Sequence, residues 1–150
     1  MTGSAPAKAQ DKRPLVVCIA EDRQSCECAV RVLIASLNRH CPGLPIQFFA
    51  PNPTPAFRQW LASRPDVTLN DEGVRGGFGS FDIKPQALTS LLDRGFEEII
   101  WIDADIVVVS DFRPALAAHA PDVFITTEEA TFNQSPDTAL PTRLWGMPVG

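Results

Sequence analysis

Two aspartates one residue apart, Asp103 and Asp105, directly follow an apolar run at residues 99–102. A continuous apolar run is typical of a strand that is buried on both faces of a parallel sheet. In open α/β sheets ligands bind beyond the carboxyl ends of the strands, where the two aspartates would lie. No lysine or arginine occurs at residues 95–112, and ionised carboxylates beside a buried strand are costly without a positive partner. The pattern therefore indicates a divalent cation.

The spacing of the two aspartates suits a shared ion. In an extended segment residues two apart project to the same side, so both carboxylates would face one cation with Ala104 turned away. Carboxylate oxygens favour Mg²⁺ or Mn²⁺, which usually keep positions open for water and substrate phosphates. The alternative is structural, with the aspartates forming an Asx-type turn or capping the next segment. The preceding apolar strand favours the metal role.

Three further charged residues are candidates for ligand contact. Glu21 and Asp22 follow an apolar strand at residues 15–20, where they would either contact a ligand such as a base or ribose or cap the next helix. Lys84 precedes Pro85, which is typical of a first helical turn, and would be either a solvated lysine or a phosphate ligand.

The glycine-rich residues 73–79, which include Arg75, would be a plain connection or a mobile lid.

The four cysteines and two histidines give no second site. Cys26 and Cys28 would point to different sides of a helix, and none of the cysteines forms a CxxC pair. Unreactive thiols are therefore favoured over a zinc site or a disulfide. His40 and His119 lack a partner at ligand spacing, which favours surface or capping roles.

Strand and helix signals alternate along most of the chain. Apolar residues at helical spacing, as at Val30, Leu33, Ile34 and Leu37, mark the buried faces of helices. The expected strands are residues 15–20, 46–50, 67–69, 98–102 and 123–127, with a short extra one at 106–109, and the expected helices are 25–39, 55–63, 84–93 and 113–118. This order predicts an α/β fold with a doubly wound, mostly parallel sheet.

Composition limits the class of function. The net charge of −5 and the absence of a basic run argue against a nucleic-acid partner. No apolar stretch is long enough to cross a bilayer, and residues 1–13 lack the apolar core of a secretory signal. We therefore expect a disordered lead-in at 1–13, a single α/β domain at 14–150 and a cytoplasmic location.

The run from Lys84 to Val108 (KPQALTSLLDRGFEEIIWIDADIVV) resembles the central signature of nucleotide-sugar glycosyltransferases with the GT-A fold. The nearest group is the retaining one that includes glycogenin and bacterial lipopolysaccharide galactosyltransferases, which carries a stretch similar to residues 35–46. The resemblance covers about residues 15–127, and its most specific part is the strand followed by Asp-x-Asp.

This resemblance implies a Rossmann-like sheet and a metal-dependent transfer of sugar from a nucleotide-diphosphate donor, a UDP-sugar above all, to an unknown glycan, lipid or protein acceptor. Asp103 and Asp105 would bind Mn²⁺ or Mg²⁺ and through it the donor diphosphate. The residues implied to contact the donor nucleotide are Ala20, Glu21, Asp22, Lys84, Asp103 and Ala104. The late histidine that usually completes the family's metal site has no match after His119, and its Asn-x-Gly segment is also missing. The chain is therefore expected to be the donor-binding part of an enzyme, truncated at its C-terminus.

Two other functions stay open. Asp103-x-Asp105 also fits the nucleophile motif of haloacid-dehalogenase-like phosphatases, in which the first aspartate attacks phosphorus, with Thr126 or Thr127 as a second motif. That chemistry also needs a downstream lysine and a late acid pair, and no lysine follows Lys84. A nucleotide-binding module without transfer activity is the third possibility.

Overall fold

The computed structural model describes residues 15–75 and 82–118. Strands and helices alternate along these residues, as the sequence predicts. The elements are β1 (Val16–Ala20), α1 (Glu27–His40), β2 (Ile46–Phe49), α2 (Pro55–Ala62), β3 (Val67–Asn70), α3 (Ile83–Asp93), β4 (Ile99–Trp101) and α4 (Arg113–Ala117), with a 3-10 turn at Gln24–Cys26 before α1.

The four described strands form one parallel sheet in the order β3-β2-β1-β4. β1 is a central strand, and its Val17 lies opposite Ile46 of β2 on one side and Ile100 of β4 on the other. All five β1 residues are buried. A parallel sheet needs a crossover between successive strands, and the intervening helices supply it.

Helices cover both faces of this sheet. Alternate residues of β1 point to opposite faces: Val17 and Ile19 belong to the core formed with α1 and α2, whereas Val16 and Cys18 belong to the core formed with α3. The doubly wound α/β fold predicted from the sequence is thereby confirmed.

Helix α3 ends in a turn that directs the chain into β4. Gly95 has φ 81°, its N–H donates to the Leu92 carbonyl, and the Phe96 N–H donates to the Leu91 carbonyl. This is the Schellman arrangement, in which glycine accepts the left-handed conformation at low cost. Leu91 is buried in the sheet core, whereas the adjacent Leu92 lies on the outer side of the helix and is 59% exposed.

Two strand predictions around the aspartates need correction. β4 is only half-buried, because it lies at one edge of the sheet within the described residues. The expected strand at residues 106–109 does not form there: Ile106, Val107 and Val109 are exposed, and only Val108 is buried. The predicted strand at 123–127, the lead-in at 1–13 and residues 76–79 of the glycine-rich segment lie outside the described residues.

The chain divides into two compact units, residues 1–113 and 114–150. Of the second unit the structure describes residues 114–118, most of which belong to α4. Over the described part of the chain, no helix has the length and apolar character needed to cross a membrane.

Candidate functional site

The order of strands reverses between β1 and β4. From β1 the chain passes outward to β2 and β3, and then returns to add β4 on the other side of β1. In open α/β sheets this switch point, beyond the carboxyl ends of the two strands, is where ligands bind. The acids Glu21 and Asp22 follow β1, and Asp103 and Asp105 follow β4.

An open cavity of about 250 Å³ lies at this point. All seven site residues predicted from the sequence line it, although they come from three separate segments of the chain. Its lining residues are Ala20, Glu21, Asp22, Arg23, Cys26, Ala29, Ile83, Lys84, Asp103, Ala104 and Asp105. The sequence prediction missed Arg23, which supplies one of the cavity's two formal positive charges.

Arg23 neutralises the buried carboxylate of Glu21. Its Nε and Nη2 atoms donate to the two carboxylate oxygens, each at 2.8 Å, and its backbone N–H donates at 3.0 Å. Burial alone would raise the pKa of Glu21, but the hydrogen bonds and charge of Arg23 outweigh it and hold that pKa below its usual value. Among the described residues, no backbone N–H of the 3-10 turn or of α1 donates to the Glu21 carboxylate, so Glu21 is a partner of Arg23 rather than a helix cap.

Lys84 and Trp101 hold Asp103. The Lys84 Nζ atom lies 2.6 Å from Asp103 Oδ1, and the Trp101 indole N–H donates to the same oxygen at 2.9 Å. Burial would raise the pKa of Asp103, but these two bonds and the lysine charge outweigh it and leave the pKa lowered. Asp103 thus has a protein cation as a partner although no lysine or arginine is close to it in the sequence, because the fold brings in Lys84 from α3.

The segment after β4 is a turn rather than an extended strand. The Ile106 N–H donates to the Asp103 carbonyl at 3.2 Å, so the alternation expected for residues 103–105 does not apply. Ala104, expected to turn away, is buried and lines the cavity. The turn is anchored two residues further on, where the buried Val108 N–H donates to the Ser36 hydroxyl of α1 at 3.0 Å.

The cavity carries an excess of negative charge, which favours a cation. The cavity is lined by four carboxylates and two cations, a formal charge of −2. Asp105 is exposed, and among the described residues it has no ion-pair partner within the salt-bridge distance. The described residues contain no group of three His, Cys, Asp or Glu side chains that could hold an ion. Two carboxylates fit an ion such as Mg²⁺ or Mn²⁺ that takes its other ligands from water and a substrate phosphate.

No family model and no curated protein matches this chain. Among solved structures, the apo structure of the bifunctional glycosyltransferase WbbM is similar over 75% of this chain, at 19% sequence identity and a TM-score of 0.45. The chain spans 22% of the length of that protein's chain. The α/β fold described above follows from the strand order and helix packing of this chain itself.

Removing the Arg23 guanidinium should destabilise the protein in a pH-dependent way. Arg23→Met leaves the Glu21 carboxylate, 6% exposed, without its charged partner and with the backbone N–H of residue 23 and the Cys26 side chain as hydrogen-bond partners. Breaking a fully buried pair costs about 3–5 kcal/mol, but the Arg23 side chain is 53% exposed, which reduces the expected loss to about 1–2 kcal/mol at neutral pH. The Glu21 pKa is lowered by folding, so this contribution exists above the unfolded glutamate pKa and disappears as the pH falls through the folded value.

Urea unfolding at neutral pH and at about pH 3, below the ordinary glutamate pKa, checks this prediction. Arg58→Met, which breaks the more exposed pair with Asp71, is the matched control and should cost under about 0.5 kcal/mol. An Arg23→Met loss that is the same at both pH values would contradict the assigned role of Glu21.

Proposed function

We propose that this chain binds a nucleotide-diphosphate sugar through a divalent cation held by Asp103 and Asp105, and that it is the donor-binding part of a GT-A-type glycosyltransferase. One observation supports the proposal most: seven residues chosen from the sequence alone, in three segments, line one cavity at the switch point of a doubly wound sheet. Carboxylates and cationic side chains line the same cavity. A ligand made of a metal cation and a diphosphate would need both, the carboxylates for the metal and the cations for the diphosphate.

Each group has a definable task in this proposal. Asp103 and Asp105 would supply hard oxygen ligands, and the bound Mg²⁺ or Mn²⁺ would neutralise the charge that builds up on the departing diphosphate. Lys84, at the first turn of α3, would add a positive charge beside the phosphates. Ala20, Glu21 and Asp22 would form the wall that receives the nucleoside, a UDP-sugar being the first donor to test.

Calorimetric titration with UDP, with and without Mn²⁺, tests the proposal. The wild-type protein should bind UDP at least about tenfold more tightly with Mn²⁺, a difference of about 1.4 kcal/mol. Asp105→Asn should abolish that difference, because it replaces a charged metal ligand with a neutral one. Asp93→Asn is the matched control, since Asp93 is exposed at the end of α3 and is not a lining residue of the cavity. UDP binding that is indifferent to both Mn²⁺ and Asp105→Asn would refute the assignment.

A phosphatase is the second candidate, and one contact favours it. The Lys84 ammonium lies 2.6 Å from Asp103 Oδ1. A positive charge at this position would keep a carboxylate nucleophile ionised for attack on phosphorus. Hydrolysis of p-nitrophenyl phosphate that is lost in Asp103→Asn would favour this function.

A nucleotide-binding module is the third candidate. It would be indicated by metal-dependent UDP binding without sugar transfer or donor hydrolysis, in a protein that also carries the acceptor-binding part.

A further inference from the structure

The two carboxylate oxygens of Asp103 have different surroundings. Oδ1 accepts hydrogen bonds from both the Lys84 ammonium and the Trp101 indole. Among the described residues, no side chain or backbone group donates to Oδ2. Within this part of the chain Asp103 is therefore held through Oδ1, which leaves Oδ2 for a ligand.

Trp101 contacts both Asp103 and Lys84. Its N–H donates to Asp103, and its ring centroid lies 5.5 Å from the Lys84 ammonium, within the range of a cation–π contact. Because the indole is a rigid group at the end of β4, it fixes the carboxylate and the lysine relative to the sheet. Partners of this kind commonly orient a metal ligand and strengthen its binding.

We infer that Trp101 is a positioning residue that orients Asp103 so that a divalent cation enters on Oδ2, while Lys84 disfavours the bare cation. This inference rests on the proposed metal-binding role of Asp103. The two donors to Oδ1 then act in opposite directions. The neutral indole N–H fixes the carboxylate without repelling a cation, whereas the lysine places a positive charge beside the ion. An anionic diphosphate that accompanies the ion would instead be attracted by that lysine.

The test measures Mn²⁺ binding in the absence of nucleotide, from the electron paramagnetic resonance signal of the free ion. Trp101→Phe keeps an aromatic ring but removes the N–H donor, and should weaken Mn²⁺ binding about tenfold, the lower end of the effect of losing such a partner. Lys84→Met should strengthen it several-fold. A general loss of stability would weaken Mn²⁺ binding in both variants. Weaker binding in Trp101→Phe together with stronger binding in Lys84→Met therefore identifies a positioning role for the indole and a charge effect of the lysine. Trp60→Phe, a replacement of a tryptophan in the other core, is the control and should leave the affinity unchanged.

Terbium luminescence gives a second readout that does not depend on a change in affinity. Tb³⁺ prefers oxygen ligands, and energy transfer from an indole to a bound lanthanide falls steeply with distance. Excitation of tryptophan should produce terbium emission in the wild type and in Trp60→Phe, but not in Trp101→Phe or Asp103→Asn.

The inference is overturned if Trp101→Phe binds Mn²⁺ like the wild type, if Lys84→Met weakens the binding, or if terbium emission survives in Trp101→Phe. Neither readout uses a nucleotide, so failure of the proposed function is recognised separately. UDP binding that depends on Mn²⁺ together with Mn²⁺ binding that is indifferent to Trp101 refutes only this inference. The expected changes in Mn²⁺ affinity together with UDP binding that is indifferent to the metal refute only the donor role.

Discussion

Phe57→Ala is expected to lower the free energy of unfolding by about 3–5 kcal/mol, the range typical of a fully buried phenylalanine. The Phe57 side chain is 1% exposed and belongs to the core between the sheet and helices α1 and α2. Its ring meets Phe48 of β2 edge-on at a centroid distance of 5.7 Å, and stacks on Trp60 at the same distance. The Arg31 guanidinium lies 5.1 Å from the same ring centroid. Truncation thus removes all three ring contacts and leaves a cavity.

A small domain has a total stability of about 5–15 kcal/mol, so this loss is a large fraction of it. Urea unfolding monitored by circular dichroism measures the difference, and Trp60, which stacks on Phe57, contributes fluorescence as a local report. Phe57→Leu fills most of the space and should cost less than half as much. A Phe57→Ala loss under about 1 kcal/mol would show that the residue is not packed in the core as described.

The fold was predictable because its main signals are local. Apolar residues at helical spacing identified the buried face of α1, whose Val30, Leu33, Ile34 and Leu37 are buried. The helix expected at residues 55–63 starts with a local signal as well: Pro55 is in the first turn, and the preceding Thr54 accepts a hydrogen bond from the Phe57 N–H through its hydroxyl at 3.2 Å. Each of these signals depends on residues within about two helical turns, so no knowledge of distant partners is needed.

The error at residues 106–109 had a non-local cause. Four apolar residues in a row have the composition of a strand, but composition does not identify the partner of each backbone N–H. The Val108 N–H bonds to the Ser36 side chain of α1 rather than to a neighbouring strand. Only Val108 is therefore drawn into the core, and its apolar neighbours stay exposed.

The sequence predicted where the candidate site lies in the sheet, but it did not predict which charged side chains form ion pairs there. Acids that follow β1 and β4 must meet at one edge of the sheet, because the carboxyl ends of parallel strands lie together. The pairing of Lys84 with Asp103 depends on how α3 packs on the sheet, which spacing does not give. The Glu21–Arg23 pair is local, and an arginine two residues after a buried acid is the signal that would have identified it.

Ser36→Ala is expected to cost about 1–3 kcal/mol of unfolding free energy, because it leaves the buried Val108 N–H without an acceptor. The hydroxyl of Ser36 donates to the Leu33 carbonyl at 2.7 Å and accepts from Val108 at 3.0 Å. It thus joins α1 to the chain that leaves the Asp103 turn. Loss of this tether loosens the placement of Asp105, so under the proposed function the affinity for UDP with Mn²⁺ should also fall several-fold, with little change when Mn²⁺ is absent.

Ser63→Ala is the matched control for this tether. The Ser63 hydroxyl also donates to a helix carbonyl, that of Trp60 at 2.7 Å, but it is exposed, so its loss should change stability by less than about 0.5 kcal/mol. Urea unfolding of both variants and calorimetric titration of UDP with and without Mn²⁺ give the comparison. Equal stability losses in Ser36→Ala and Ser63→Ala would mean that the Val108 bond contributes nothing. A large stability loss in Ser36→Ala with unchanged metal-dependent affinity would mean that Asp105 is held by the turn alone.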